Sequence, residues 1–237
     1  MYSFDSRVRY SEVDASKHLD LYAIINYFQD CSTFHSEDVG LGLDYFEQMH
    51  KVWMLNGWQI HVNRYPRLYE KITICTSPYD FNNIYGFRNF LLKDEQGDVV
   101  AYANSIWFLM DTLTMKPSLT TSIPFEQYGI GEKYDMEYAP RKIKLPTTFQ
   151  EYEAFPVAKS NIDTNNHVNN GQYIKMAEEY LPDGFIIEEM RAEYRRAAVL
   201  GDLIYPRVSI KDNLCTIVLA GEDERPYCIV EFKKTNN

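Results

Sequence analysis

Three side chains in one short run are equipped for proton chemistry. Residues 163–174 read Asp-Thr-Asn-Asn-His-Val-Asn-Asn-Gly-Gln-Tyr-Ile, which places Asp163, Asn165 and His167 at alternate positions. His167 can take or give a proton near neutral pH, a role worth roughly 10²–10⁴-fold in rate. Asp163 can orient a water or attack an electrophile itself, and the Asn165 amide can anchor a water, the histidine or a carbonyl oxygen. The same residue types also start helices. Asp and Asn ahead of a helix are common caps and turn formers; that reading suits Asn169 and Asn170 better than chemistry does, and it applies to Asp163 as well.

Such a run has to be delivered by the elements around it. A helix over residues 170–181 puts Tyr173, Ile174, Ala177 and Leu181 on one face. A strand over 149–158 and a polar loop over 159–169 lead into it, and strands over 186–197, 202–210, 213–220 and 227–234 follow. The same order occurs once before. A strand over 3–10 and a polar stretch from Ser11 to Asp20 precede a helix in which Leu21, Ile24, Ile25, Phe28 and Cys31 keep helical spacing to about residue 38, where Gly40 and Gly42 stop it. Strands over 52–62, 70–77, 84–94 and 98–111 come next, the last two joined by the tight turn from Asp94 to Asp98.

Asp14 and His18 precede Asp163 and His167 by 149 residues, and Arg64 and Ile72 precede Arg196 and Ile204 by 132. Agreement of motif, helix and strand order argues for an internal duplication. In the first copy Ser16 stands for Asn165, and Leu19-Asp20-Leu21 for Val168-Asn169-Asn170, which makes it a helix entrance without catalysis. Residues 113–148 carry four prolines and the basic cluster Arg141, Lys142 and Lys144, and they read as a linker between units 1–112 and 149–237, with a short helix near 123–128. A strand, a long helix and a four-stranded antiparallel sheet make one hotdog unit. The expected class is therefore α+β, a tandem (double) hotdog in which two antiparallel sheets each wrap a helix.

Composition narrows the function. With 237 residues, 45% hydrophobic and 15% aromatic, the chain can bury a core without staples. Its 24 basic against 34 acidic residues give a net charge of −10, which argues against non-specific nucleic-acid binding. Cys31, Cys75, Cys215 and Cys228 are scattered, without metal-ligand spacing, so no metal or cofactor is expected and buried free thiols are. Asp5, Arg7 and Arg9 interrupt the N-terminal stretch, and no run of 18 apolar residues occurs, so the expectation is a cytoplasmic protein without membrane insertion. Oligomeric state is left open to a homodimer.

The run at 163–170 resembles the acyl-acyl carrier protein thioesterases of plants and bacteria, whose second hotdog unit carries Asp-x-Asn-x-His-Val-Asn-Asn before its helix. Glu179, Pro182 and Glu193-Tyr194-Arg195-Arg196 extend the likeness, as do Arg9-Tyr10-Ser11-Glu12-Val13-Asp14, Gly86-Phe87-Arg88, Trp107 and the Asp94–Asp98 turn in the first half. The resemblance implies hydrolysis of fatty acyl-acyl carrier protein to free fatty acid and holo-carrier, with Asp163, Asn165 and His167 catalytic. A thioester carbonyl needs donors aimed at its developing oxyanion, and a helix N-terminus offers free N–H groups and a positive dipole end. Water attack and covalent attack by Asp163 both remain open.

The family also implies that the first unit shapes the acyl-chain pocket, with Trp53, Leu55, Trp58 and Trp107 as candidates; ordinary core packing is the competing reading. Plant members follow the Tyr-Arg-Arg run with Glu-Cys, where this chain has Ala197 and Ala198, so a cysteine nucleophile is excluded there. Glu193 lies about 13 Å along the strand from Ala197, too far for an easy replacement of the missing acid. Two alternatives accompany the carrier-protein reading: an acyl-coenzyme A thioesterase, and a non-catalytic acyl-thioester sensor, the latter motivated by the two alanines. An acidic carrier protein meeting a chain at −10 requires a local basic patch. Arg141, Lys142 and Lys144 are the densest candidates, with Arg195 and Arg196 beside them; solvated linker charges and strand-end ion pairs are the alternative.

Overall fold

The computed structural model describes residues 1–163 and 165–235; Thr164 of the motif and the last two residues of the second unit lie outside the described residues. The chain divides into two compact units, Met1–Asn56 with Ile60–Tyr138, and Gly57–Gln59 with Ala139–Asn237. The segment read as a linker is accordingly shared, residues 113–138 grouping with the first unit and 139–148 with the second. It is packed chain: Ile123 and Tyr128 are buried in one cluster and Ile143 in another. Its prolines interrupt regular structure without preventing burial.

In the first unit, β1 (Tyr2–Arg7) leads to α1 (Leu21–Asp38), a short α2 (Leu43–Gln48), and the strands β2 (Lys51–Val62), β3 (Lys71–Asn82), β4 (Tyr85–Asp94) and β5 (Val99–Asp111), with a two-residue β6 (Lys116–Pro117) on β5. The strand order is β1-β3-β4-β5-β2. α1 starts where Asp20 caps it, its carboxylate accepting from the Ala23 N–H at 2.6 Å. It ends where Gly40 turns the chain at φ +75°, a left-handed conformation that glycine adopts without steric cost. Leu21, Ala23, Ile24, Ile25, Tyr27, Phe28, Cys31 and His35 are all buried, a wider face than one heptad stripe. Phe28 packs against Phe90 of β4 with ring centres 5.2 Å apart. Truncating a fully buried phenylalanine such as this costs about 3–5 kcal/mol.

The second unit holds β7 (Gln150–Glu151), β8 (Phe155–Pro156), α3 (Asn170–Glu178), β9 (Ile187–Tyr194), β10 (Leu203–Lys211), β11 (Leu214–Ala220) and β12 (Pro226–Lys234), in the order β9-β12-β11-β10-β7 with β8 also on β10. Three boundaries differ clearly from those predicted. The strand expected to reach residue 197 ends at Tyr194. The strand expected over 149–158 is two short pieces, pairing with β10 at Val208 and Arg207 and again at Ile204 and Leu203. The helix expected to reach residue 181 stops at Glu178, because the Tyr180 and Leu181 amides turn back to the carbonyls three residues earlier, just ahead of Pro182. Among the described residues only α1, at 18 residues, is long; α3 has nine, with Gly171, Tyr173, Ile174 and Ala177 buried. All four cysteines are buried and free. Burial pushes the Cys31 thiol up to about 12 and the Cys215 thiol up to about 11, the opposite of what a nucleophilic thiolate needs.

Candidate active site

The loop ahead of α3 is organised by one carboxylate. Asp163 Oδ1 accepts from the Asn165 N–H at 2.8 Å and from the His167 N–H at 3.4 Å. The Asp163 amide donates to the His167 carbonyl at 2.8 Å, and the Asn166 amide donates back to the Asp163 carbonyl at 3.1 Å. Asn166 takes φ +60°, a left-handed position that asparagine tolerates better than most residues. Ile162 and Val168 close the loop as a β-bridge. Asn165 is thus exposed at the tip and His167 half-buried beside it. Asn169 then caps α3, its side chain accepting from the Gly171 N–H at 2.9 Å, in line with the capping role expected of it.

The loop is fastened to the chain that follows β9. The Val168 amide donates to the Ala198 carbonyl at 2.9 Å, and the Ala198 amide donates to the Tyr173 hydroxyl at 2.8 Å. Burial keeps that phenol protonated by raising its pKa. Asp202 accepts from the Val199 N–H at 3.0 Å and from the Tyr227 hydroxyl at 3.1 Å. Neither set of bonds is readable from the sequence. Tyr173 reads there as one more member of a buried helical face, and only its partner reveals the use of the hydroxyl. Ala197 is exposed and offers no acid. Glu193 does not replace it, since its buried carboxylate accepts from the Ile143 N–H at 2.9 Å and from Arg195 Nε at 3.0 Å.

The loop ahead of α1 repeats this construction bond for bond. Asp14 Oδ1 accepts from the Ser16 N–H at 2.8 Å and the His18 N–H at 3.0 Å; the Asp14 amide donates to the His18 carbonyl at 2.8 Å, and the Lys17 amide returns to Asp14 at 3.0 Å. Lys17 has φ +65° and the Leu19 amide donates to the Pro66 carbonyl at 2.7 Å. Pro66 stands 132 residues before Ala198, the offset found in the sequence. The side chains differ. Ser16 Oγ donates to Asp14 Oδ1 at 2.7 Å and lies 2.8 Å from His18 Nδ1, tying the ring to the carboxylate. No such bond joins Asn165 to Asp163 or to His167 among the described residues. Burial works against ionisation of Asp14, but its bonds from His18 and Ser16 outweigh that and hold its carboxyl below the usual range.

Of the basic residues, Arg141, Lys142 and Lys144 are exposed on either side of buried Ile143, which the Glu193 bond pins. Lys142 and Lys144 pair with no carboxylate among the described residues. Arg195 is held by Glu193, and Arg196 makes a two-point pair with Asp223 at 2.8 and 2.9 Å while stacking 4.2 Å from the Tyr227 ring centre. In the first unit, Trp53 lies among Phe46 and Phe81, and Trp107 Nε1 donates to Ser105 Oγ at 2.7 Å. No cluster of three or more metal-binding side chains occurs among the described residues.

Two units, each a helix with an antiparallel sheet and each helix preceded by the same aspartate-centred loop, make a duplicated hotdog fold. Residues 1–123 match the family model of the acyl-ACP thioesterase N-terminal domain, and residues 144–215 match that of the C-terminal domain. The chain belongs to the acyl-ACP (acyl carrier protein) thioesterase family. A chloroplastic palmitoyl-acyl carrier protein thioesterase of Arabidopsis thaliana is 27% identical over 209 residues, covering 80% of this chain and 50% of the relative. A chloroplastic dodecanoyl-[acyl-carrier-protein] hydrolase of Cinnamomum camphora is 26% identical over 219 residues, covering 83% and 56%. The chain therefore spans about half the length of the curated relatives it matches. In fold it is similar to an acyl-ACP thioesterase from Bacteroides thetaiotaomicron, with TM-score 0.90, 22% identity, and 98% and 97% of the two chains covered. A 12:0-ACP thioesterase from Umbellularia californica gives TM-score 0.85 at 20% identity, covering 100% and 98%.

Proposed function

We propose that this chain hydrolyses fatty acyl-acyl carrier protein to free fatty acid and holo-carrier protein, with the chemistry at the loop ahead of α3. The observation that carries this reading is the Asp163 carboxylate holding the Asn165 and His167 amides, which presents both side chains at one loop tip. His167 takes a proton from water as the water oxygen bonds to the thioester carbonyl carbon. The tetrahedral intermediate then expels the thiolate, which leaves with the proton His167 returns. Asn169 already uses the Gly171 and Gln172 amides through its side chain and carbonyl. In this reading the Asn165 side-chain amide serves as an oxyanion donor, a contribution worth roughly 2.7–4 kcal/mol of activation energy. Asp163 orients the loop and the water. Its Oδ1 is engaged by two amides, which lowers its nucleophilicity and favours water attack over an anhydride.

The first unit, in this reading, holds the acyl chain, with Trp53, Leu55, Trp58 and Trp107 among its candidate contacts. Lys142 and Lys144, with Arg141 beside them, receive the acidic carrier in this reading. Four buried free thiols suit a reducing compartment such as the cytoplasm. No described helix is long and apolar enough to cross a membrane.

The test is hydrolysis of carrier-protein and coenzyme A thioesters of matched chain length. The carrier substrate should be preferred, and reversing the charge of Lys142 and Lys144 should raise KM for it while sparing the coenzyme A thioester and a small acyl thioester. An equal rise for all three substrates contradicts the patch. Preference for coenzyme A contradicts the assigned carrier, and no turnover of any thioester contradicts the reaction.

A further inference from the structure

The first unit buries a cation that the hydrolytic chemistry does not use. Arg88 on β4 is only 7% exposed, and its Nη1 donates to His35 Nδ1 of α1 at 3.0 Å and to Thr76 Oγ1 of β3 at 3.3 Å. Its guanidinium lies 5.3 Å from the ring centre of Tyr128. Both acceptors are neutral. Burial, reinforced by the charge of Arg88, lowers His35 to about 4, so the ring accepts at Nδ1. Burial also lowers Arg88, but only to about 10, so it stays charged at neutral pH. No carboxylate among the described residues pairs with it. An arginine this deep is ordinarily matched by an anion, because removing its charge from water uncompensated is costly.

The geometry of the unused groups indicates what would match it. With Nη1 engaged twice, Nε and Nη2 bond to no described residue, and these two form the side of the guanidinium fork that takes a carboxylate in two parallel hydrogen bonds. One cation suits a single negative charge and not a phosphate dianion. The surroundings are apolar: Tyr128 belongs to a buried cluster with Leu41, Phe46, Leu109 and Ile123, and His35 is stacked on Tyr2 at 4.9 Å between ring centres. We propose that Arg88 is a binding site for the carboxylate of an aliphatic acid, held through Nε and Nη2. The expected occupant is the carboxylate of a free fatty acid.

Calorimetric titration of the full chain with decanoate, decanol and methyl decanoate tests this without turnover, so it stands or falls separately from the thioesterase reading. Wild type should bind decanoate about tenfold more tightly than the two uncharged ligands. Because a hydrolytic loop can also meet a product carboxylate, the decisive readout is the loss of that preference in Arg88→Gln, checked for folding by circular dichroism. Equal affinity for acid and alcohol in wild type, or the same preference in Arg88→Gln, overturns the proposal. If Arg88→Gln does not fold, ¹³C-carboxyl decanoate on wild type replaces it. A bound carboxyl pKa below the free value, unaltered in Asn165→Ala, supports the site, and an unshifted one overturns it.

Discussion

The loops at residues 14–20 and 163–169 share a backbone and differ in the side chain at their centre. In both, one aspartate accepts from two amides of its own loop, one residue is left-handed, and the amide two residues after it is donated to a carbonyl far along the chain. The duplication thus preserves the backbone bonds of the loop, while the Tyr173 hydroxyl bond to Ala198 belongs to the second copy, Ile24 standing at the matching position. Where the copies part is residue 16 against residue 165. A serine hydroxyl is short enough to bridge Asp14 and His18, whereas the Asn165 amide stays at the loop tip. Keeping the scaffold is therefore separable from keeping an available histidine.

Substitutions can break this comparison in descending order of effect. Asp163→Ala removes the acceptor that holds both functional amides. Steady-state kinetics should show kcat lower by roughly 10²–10⁴-fold. Asp14→Ala disturbs the equivalent bonds and should leave kcat near wild type while lowering stability by about 1 kcal/mol in urea titration. Equal kinetic losses would erase the distinction between the loops. Asn165→Ser sharpens it: a serine at this position should tie His167 to Asp163 as Ser16 does His18, and remove the proposed oxyanion donor, lowering kcat roughly 10²-fold with little change in stability.

The two helix caps come next. Asp20→Ala and Asn169→Ala each lose one cap bond and should cost about 1 kcal/mol by chemical denaturation. The smallest effect concerns pH. Because the Asp14 carboxyl lies below its usual range when folded, its contribution to stability is present above the unfolded value and is lost as pH falls through the folded one. Asp14→Asn should flatten the acid limb of a stability–pH curve below about pH 4, the ordinary carboxylate range. An unchanged limb would mean the loop bonds do not act on the carboxyl.

Much of this arrangement was legible before any coordinates, for physical reasons that differ by element. The offsets of 149 and 132 residues carry the duplication, and Pro66 and Ala198 obey the second although neither has a chemistry-bearing side chain. α1 was readable to its ends because Asp20 caps it and Gly40 stops it, both local signals. The end of α3 was not. Leu181 keeps the apolar spacing after the backbone has already tightened, and periodicity reports side chains and not hydrogen bonds. The strand over 149–158 broke into β7 and β8 for a similar reason, since pairing with β10 depends on distant residues. Of the site, the Asp/Asn/His run was plain, whereas the Tyr173 hydroxyl and the commitments of Glu193 and Arg196 depend on partners 25 to 50 residues away. The burial of Arg88 is likewise tertiary, because its neighbours in sequence, Phe87 and Asn89, give no hint of His35 or Thr76 as partners.

The central claim is that one of two matching loops does chemistry. Measuring kcat/KM on a fatty acyl-acyl carrier protein for wild type, His167→Ala and His18→Ala in the same assay tests it most directly. The account predicts a loss of roughly 10²–10⁴-fold for His167→Ala and a value near wild type for His18→Ala. Unchanged turnover in His167→Ala, or an equal loss in His18→Ala, would contradict it.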